Sequence, residues 1–238
     1  MSQASASAVS GSPPGPNRAQ SLSLAQSAVL VAAGGFLDGF TYVGHGHVFA
    51  NNMTGNLVLL GVEAIGGSWF GALQHLTPIV AFLLGVMAAR GINSRIPERH
   101  LVPSSLAVLL VEIVALLLLG FLPHSVPDLY ITFSIAFVAA AQVETFRRVD
   151  GESFNSTFMT GDLRTLGEGL FDWVFAPSDR QTRTRVRDFG VICTIFLLGA
   201  LAGGLTVSRF GNRALWIAVA LLLVELFRLW TARKRQPQ

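Results

Sequence analysis

A polar segment that occurs twice decides the fold: Met53-Thr54-Gly55-Asn56-Leu57 with Leu60-Gly61, and, 106 residues later, Met159-Thr160-Gly161-Asp162-Leu163 with Leu166-Gly167. Two further pairs keep the same order at nearly the same spacing: Phe82-Leu83-Leu84-Gly85 with Phe196-Leu197-Leu198-Gly199, and Leu109-Leu110-Val111-Glu112 with Leu222-Leu223-Val224-Glu225. Self-similarity at one spacing indicates a duplicated structural unit. The sequence therefore predicts two repeats, the first at about 24–122 and the second at about 129–230.

The composition of the 238 residues places both repeats in a membrane. Hydrophobic residues make up 51% of the chain and charged residues only 13%, which is too little polar surface to coat a water-soluble globule. The net charge of +3 would suggest nucleic acid in a soluble protein, but here the basic residues are first of all topology determinants. We therefore predict a lipid bilayer, and no nucleic acid, as partner. The single cysteine, Cys193, rules out an internal disulfide and a cysteine-based zinc site, and we predict no metal and no cofactor.

Six stretches are long and apolar enough to span a bilayer, since a spanning helix needs about 20 mainly apolar residues. They are Leu24–Val43, Phe70–Ala89, Pro103–Leu122, Leu129–Phe146, Phe189–Ser208 and Ala214–Trp230. Two shorter segments, Asn52–Gly66 and Ser156–Phe171, begin with polar residues. The sequence predicts an all-α integral membrane protein with one polytopic domain at 23–231. A disordered tail at 1–22 precedes it and a basic cytoplasmic tail at 232–238 follows.

The distribution of basic residues distinguishes six crossings from eight. If both short segments return to the side from which they entered, fifteen of the 17 Lys and Arg lie on one face, with only Arg209 and Arg213 opposite. The positive-inside rule then places both termini in the cytoplasm. If both short segments cross, the bias nearly vanishes. We therefore predict six transmembrane helices plus two short re-entrant or interfacial helices. Each repeat then has three spans, and because three is odd the second repeat is inverted, as in many secondary transporters.

Four carboxylates lie in the predicted spans, where each costs about 2.5–3.5 kcal/mol on insertion scales and is therefore a candidate functional group. Asp38 aligns with Glu144, and Glu112 with Glu225, in the two repeats. Glu144 and Glu225 each have an arginine three residues later and can form a local ion pair, whereas Asp38 and Glu112 have none. A buried carboxylate without a cation can bind a proton reversibly. Asp38 and Glu112 are therefore the first candidates for coupling groups, with interhelical hydrogen bonding as the alternative.

The two short segments concentrate the other polar side chains. Asn52, Thr54 and Asn56 would place caps, free backbone N–H groups and a positive dipole end at a helix start inside the membrane. Thr160 and Asp162 occupy the corresponding positions of the second segment. Such a break is tolerated only where it is packed in protein or lines a cavity. We predict that these five residues line a substrate or ion path, with a tight cap that serves packing alone as the alternative.

The motifs resemble those of a known family. The resemblance rests on Gly35-Phe36-Leu37-Asp38 with Tyr42, on Val48-Phe49-Ala50-Asn51-Asn52-Met53-Thr54-Gly55-Asn56, and on Gln142 with Phe146-Arg147-Arg148 followed by Thr160-Gly161-Asp162-Leu163-Arg164. From about Ala25 to Leu229 the chain is similar to the YoaK-like family of bacterial membrane proteins, domain of unknown function 1275. Asp162 stands where the family pattern usually has Asn. The resemblance implies a multi-pass protein of the bacterial inner membrane and implies no activity.

The sequence favours a small-molecule secondary transporter or permease, coupled to protons or cations, with an unknown small molecule or ion as substrate. The alternatives are an intramembrane enzyme acting on a lipid-linked substrate and a structural or sensory membrane partner protein. An enzyme is less favoured because the chain has no phosphate loop, dinucleotide fingerprint, nucleophile elbow or zinc-protease helix, and we predict no catalytic residue. The sequence leaves homo-oligomer formation open.

Overall fold

The computed structural model describes residues 24–95, 104–123, 125–146, 148–149, 152–153, 159–175 and 179–234. The predicted N-terminal tail and the end of the basic C-terminal tail lie outside these ranges. The regular secondary structure of the described residues is helical apart from one two-residue antiparallel pair, β1 (Arg148–Val149) with β2 (Glu152–Ser153). The helices are α1 (Leu24–Gly44), α2 (Met53–Ile65), α3 (Trp69–Arg95), α4 (Ser104–Leu119), α5 (Asp128–Thr145), α6 (Met159–Phe175), α7 (Arg180–Phe210) and α8 (Leu215–Lys234), with a 3-10 turn at Gly211–Ala214 before α8.

Every stretch predicted as a span or a short polar segment forms a helix, so the all-α prediction is confirmed. The bounds of α1 and α5 agree with the prediction to within one residue. The largest difference is at α7, which begins at Arg180, nine residues before the predicted Phe189. The reason is an N-cap, because Asp179 Oδ1 accepts a hydrogen bond from the Thr182 backbone N–H at 2.7 Å. The same hydrogen bond lowers the pKa of Asp179. Residues 180–188 therefore form a charged helical extension.

Within the ranges given above, three helical segments are long and apolar enough to cross a bilayer: Leu24–Gly44, Trp69–Ile92 and Arg180–Thr231. The last contains two helices, α7 and α8, joined by the 3-10 turn. Helix α4 is a shorter apolar helix of 16 residues. These segments agree with the predicted class of membrane protein.

The helices pack in pairs around a core formed by α1, α4, α5 and α8. Helix α1 packs along α7 and α3 along α5, while α2 lies against α3 and α6 against α7. Helix α4 contacts both α5 and α8, and α8 also contacts α1. The large side chains of the core include Phe36, Phe40, Ile131, Ile135 and Leu222, all fully buried. This arrangement leaves α2 and α6, the two short polar-start helices, outside the core and against the long helices.

Glycines allow α1 and α7 to approach at backbone distance. A Cβ built on Gly39 would lie 2.8 Å from the carbonyl carbon of Ala200, and one on Gly203 would lie 2.9 Å from the carbonyl carbon of Phe36. Gly35 meets the backbone of Phe196 in the same way. Small residues four positions apart therefore serve a helix contact within the chain. Gly35 meets Phe196, and Gly39, one turn later on α1, meets Ala200, one turn later on α7. The two helices therefore run parallel.

Candidate functional site

The Asp38 carboxylate holds the segment before α2 against α1. Asp38 is 5% exposed, and its Oδ1 accepts a hydrogen bond from the Asn51 backbone N–H at 2.7 Å. The backbone amides of Ala50 and Asn52 also lie close enough to this carboxylate to stabilise its charge. The Asn51 side chain donates from Nδ2 to the Gly34 carbonyl oxygen at 3.2 Å. The partners of Asp38 are therefore uncharged backbone groups of a neighbouring segment.

Two asparagines shape the entry to α2. Asn56 is fully buried, and its side-chain amide pairs with the backbone of Phe49: Oδ1 accepts from the Phe49 N–H at 2.9 Å and Nδ2 donates to the Phe49 carbonyl at 2.8 Å. Asn52 caps the helix, with Oδ1 accepting from the Gly55 N–H at 3.1 Å. A Cβ on Gly55 would lie 2.9 Å from the Phe49 ring, so a larger residue does not fit there unless the ring moves. The polar motif thus folds back on itself in a defined geometry.

A cavity of about 290 Å³ opens beside Asp38. It lies between α1, the segment before α2, the first turn of α6, and α7. Three predicted site residues, Asp38, Asn52 and Thr160, meet there, although the last is more than 100 positions along the chain from the others. The described lining comprises Asp38, Gly39, Tyr42, Phe49, Asn52, Met159, Thr160, Phe196 and Ala200. The starts of both Met-Thr-Gly helices therefore border one cavity.

Glu112 and Glu225 are both fully buried and lie away from this cavity. Neither carboxylate oxygen of Glu112 has a hydrogen-bond partner within the described part of the chain. Glu225 interacts with Gln26 on α1 and with the charge of Arg228 one turn later, the cation predicted from the sequence. Glu112 on α4 and Glu225 on α8 align in the sequence but therefore differ in their surroundings.

The remaining predicted residues have separate positions. Glu144 lies 3.5 Å from Arg90 on α3; its predicted partner Arg147 lies outside the described residues. Thr54 is exposed on α2 and does not line the cavity. Asp162 is 6% exposed in the first turn of α6 and interacts electrostatically with Cys193 on α7.

Three aromatic residues of the lining, Tyr42, Phe49 and Phe196, were not among the predicted site residues. The rings of Tyr42 and Phe49 stack, with centroids 4.8 Å apart and planes at 21°. A signal for two of them was present, since Tyr42 follows Asp38 by one helical turn and Phe49 directly precedes the polar motif. Phe196 had no such signal, because its place depends on the packing of α7 against α1.

A histidine outside the cavity joins the two halves of the chain. His45, 1% exposed after the end of α1, has Nδ1 at 2.7 Å from Oδ1 of Asp128 in the first turn of α5. The pair therefore ties the end of α1 to the start of α5. No group of three or more His, Cys, Asp or Glu side chains suited to a metal ion occurs within the described ranges.

Comparison with known proteins gives two matches. A family model described as a protein of unknown function, DUF1275, matches residues 26–227. The transmembrane protein YoaK of Bacillus subtilis (strain 168), a UPF0700 protein, is 28% identical over 202 residues, which cover 82% of this chain and 88% of YoaK. No solved structure matches the chain significantly.

Proposed function

This chain belongs to the DUF1275 family, a multi-pass transmembrane family of unknown function, and we propose that it is a small-molecule secondary transporter or permease. The observation that carries the proposal is the cavity. It borders the starts of two polar helices from opposite halves of the chain, and it contains the carboxylate of Asp38 together with Asn52 and Thr160. Secondary transporters place their substrate sites at such helix breaks, between two structural repeats.

The pairing of helices supports the inverted repeat in this proposal. If α1 to α4 correspond in order to α5 to α8, the contact of α1 with α7 has its counterpart in that of α5 with α3. The contact of α2 with α3 corresponds to that of α6 with α7, and α4 with α5 to α8 with α1. The contact of α4 with α8 is its own counterpart. A pseudo-twofold axis relating two repeats generates this pattern.

Contacts at the helix ends support six crossings with two helices that return. The end of α4 meets the start of α8: Asn212 Nδ2 donates to the Leu122 carbonyl at 3.0 Å, and the rings of Phe121 and Trp216 lie 5.1 Å apart. The turn after α4 and the turn before α8 therefore lie at one membrane surface. If α5, α6 and α7 all crossed, these turns would lie at opposite surfaces, so the contact supports a return of α6. With α6 returning, the parallel arrangement of α1 and α7 supports a return of α2 as well.

The proposal assigns different tasks to the polar residues. Asp38, Asn52 and Thr160 contact the substrate in the cavity, and Thr54 and Asp162 lie beside its path. Asn56 holds the entry segment in place through Phe49. Glu112, with Glu225 and Glu144 as further candidates, binds the coupling proton or cation, because a buried carboxylate without a partner is most simply retained for function. The residues with a task in transport are together Asp38, Asn52, Thr54, Asn56, Glu112, Glu144, Thr160, Asp162 and Glu225.

In this proposal, the distribution of charged residues determines which ends of the helices face the cytoplasm. Arg90 ends near Glu144 at one surface, and the charged start of α7 and the end of α8 lie at the same surface under the six-span topology. The positive-inside rule places that surface, with both termini, in the cytoplasm. The chain would then lie in the bacterial inner membrane.

Transport can be tested before the substrate is identified. Proteoliposomes containing the full chain are loaded with a small-molecule extract of bacterial cells, and the retained solutes are compared by mass spectrometry with those of protein-free liposomes. We expect selective loss of one chemical class, a dependence on the pH gradient, and loss of activity in Asp38→Asn. Selective release that ignores the gradient and persists in both Asp38→Asn and Glu112→Gln would contradict the coupling assignment. Identical retention with and without protein would refute transport.

A further inference from the structure

We propose that the cavity beside Asp38 binds a small organic cation, a protonated amine or a quaternary ammonium group. The inference adopts the site of the proposed function and deepens it by naming the substrate class. It does not require that the bound molecule be transported.

The charge of the cavity lining favours a cation. Asp38 is the only charged residue among the described lining residues, and no Lys, Arg or His shares that lining. The groups that act on Asp38 are backbone amides, that of Asn51 at hydrogen-bond distance and those of Ala50 and Asn52 beside it; they are dipolar and leave the net negative charge in place. Burial makes an uncompensated carboxylate a strong attractor for a counter-charge. The start of α6 would favour an anion, but Asp162 in its first turn opposes that dipole.

The aromatic residues of the cavity lining favour an organic cation. Tyr42, Phe49 and Phe196 border the cavity together with Asp38, and Tyr42 stacks with Phe49. Aromatic rings attract cations, and sites for quaternary ammonium groups combine several rings. An inorganic cation that loses its hydration shell would instead need several oxygen ligands, several of them charged. The side-chain oxygens of the described lining belong to Asp38, Tyr42, Asn52 and Thr160, and only Asp38 carries a charge.

The volume of the cavity suits a small organic molecule. The cavity of about 290 Å³ is roughly twice the volume of about 150 Å³ that accommodates one benzene molecule in an engineered core. A cation of the size of choline therefore fits, whereas a peptide does not.

Binding of choline to the purified full-length chain, measured by titration calorimetry and by thermal shift, tests the charge requirement directly. The matched ligand is 3,3-dimethyl-1-butanol, which replaces the quaternary nitrogen of choline by carbon and removes only the charge. We expect choline to bind and to raise the melting temperature, and the neutral isostere to do neither. Equal binding of the two would overturn the proposal, as would the absence of binding by choline, tetramethylammonium and ethylamine alike.

Two pairs of variants locate the site. Asp38→Asn keeps an acceptor for the Asn51 N–H but removes the charge, and we expect at least a tenfold weaker affinity for choline; the exposed carboxylate variant Glu168→Gln is the matched control. Tyr42→Leu should weaken binding by about 2- to 30-fold and Tyr42→Phe much less. Unchanged binding in Asp38→Asn overturns the proposal. Should that variant fail to fold, the Tyr42 pair decides the matter, and equal affinities of the Leu and Phe variants overturn it.

The same reagents separate this inference from the proposed function. Asp38-dependent binding of choline, together with identical retention of the cell extract by liposomes with and without protein, would refute transport and leave the inference intact. Selective release of anionic or neutral solutes, without binding of cations, would refute the inference and leave transport intact.

Discussion

Replacing Gly39 by alanine tests the close contact between α1 and α7 that forms one wall of the cavity. The added Cβ would lie 2.8 Å from the carbonyl carbon and 2.9 Å from the Cα of Ala200, whereas carbon atoms in contact prefer about 3.5–4.0 Å. The Ala200 carbonyl oxygen would lie closer still, so the helices must separate locally by more than about 0.7 Å. Overpacking of this kind costs about 1–3 kcal/mol, and the better helix propensity of alanine offsets about 0.5–1 kcal/mol of it. The difference is a net loss of up to about 2.5 kcal/mol in the free energy of unfolding, and because the new methyl group meets rigid backbone we expect a value in the upper half of that range.

The measurement is reversible unfolding in mixed micelles, followed by circular dichroism and tryptophan fluorescence. Gly61→Ala on α2 is the matched control, because no atom lies within 4 Å of a Cβ at that position. The control should be neutral or more stable than the wild type by up to about 1 kcal/mol. A Gly39→Ala variant as stable as Gly61→Ala would refute the reasoning, since the two differ only in what the new methyl group meets.

Other contacts lead to three more expectations. Asn56→Ala removes both hydrogen bonds to the Phe49 backbone and should cost about 1–3 kcal/mol for each group left unpaired, in the same unfolding assay; a cost below about 0.5 kcal/mol would contradict it. Arg90→Ala should cost less than about 1 kcal/mol, because the arginine is 73% exposed at 3.5 Å from its carboxylate partner; a loss above about 2 kcal/mol would show a larger role. Cysteines placed at Arg95 and Arg183 in a Cys193→Ala background should react with an impermeant reagent from the same side, and labelling from opposite sides would refute the six-span topology.

Much of the architecture could be predicted from the sequence. The length of the apolar stretches predicted the positions of α1 and α5 to within one residue, because hydrophobic length and turn residues are local properties. The longer α7 was not predicted, because its charged start argued against a membrane segment and the cap at Asp179 was not recognised as a helix start. The inverted repeat and the return of the two short helices stay predictions, now with contacts between α4 and α8 that can be tested.

The candidate site could be predicted only in part. Asp38 stood out because its helix offers it no cation, and Asn52 and Thr160 because each lies in a short segment that begins with polar residues. The sequence did not indicate that Asn56 is bound at both ends of its amide to Phe49, since this needs a chain reversal between the two residues. Nor did the sequence indicate that Glu112 and Glu225 lie away from the cavity. An alignment of the repeats shows which residues correspond, but it does not show how far apart they lie in space.

The sequence by itself determined that this is a helical membrane protein, since composition and apolar length can be read along the chain, and its self-similarity predicts two related halves. Only the tertiary structure decided which polar residues share a cavity. That choice depends on glycine faces of α1 and α7 that let two distant helices touch at their backbones, and on the carboxylate of Asp38 accepting the N–H of a segment thirteen residues away. The spacing of four between the glycines marks a helix contact in the sequence but does not say which helix is met, because each match depends on both partners at once.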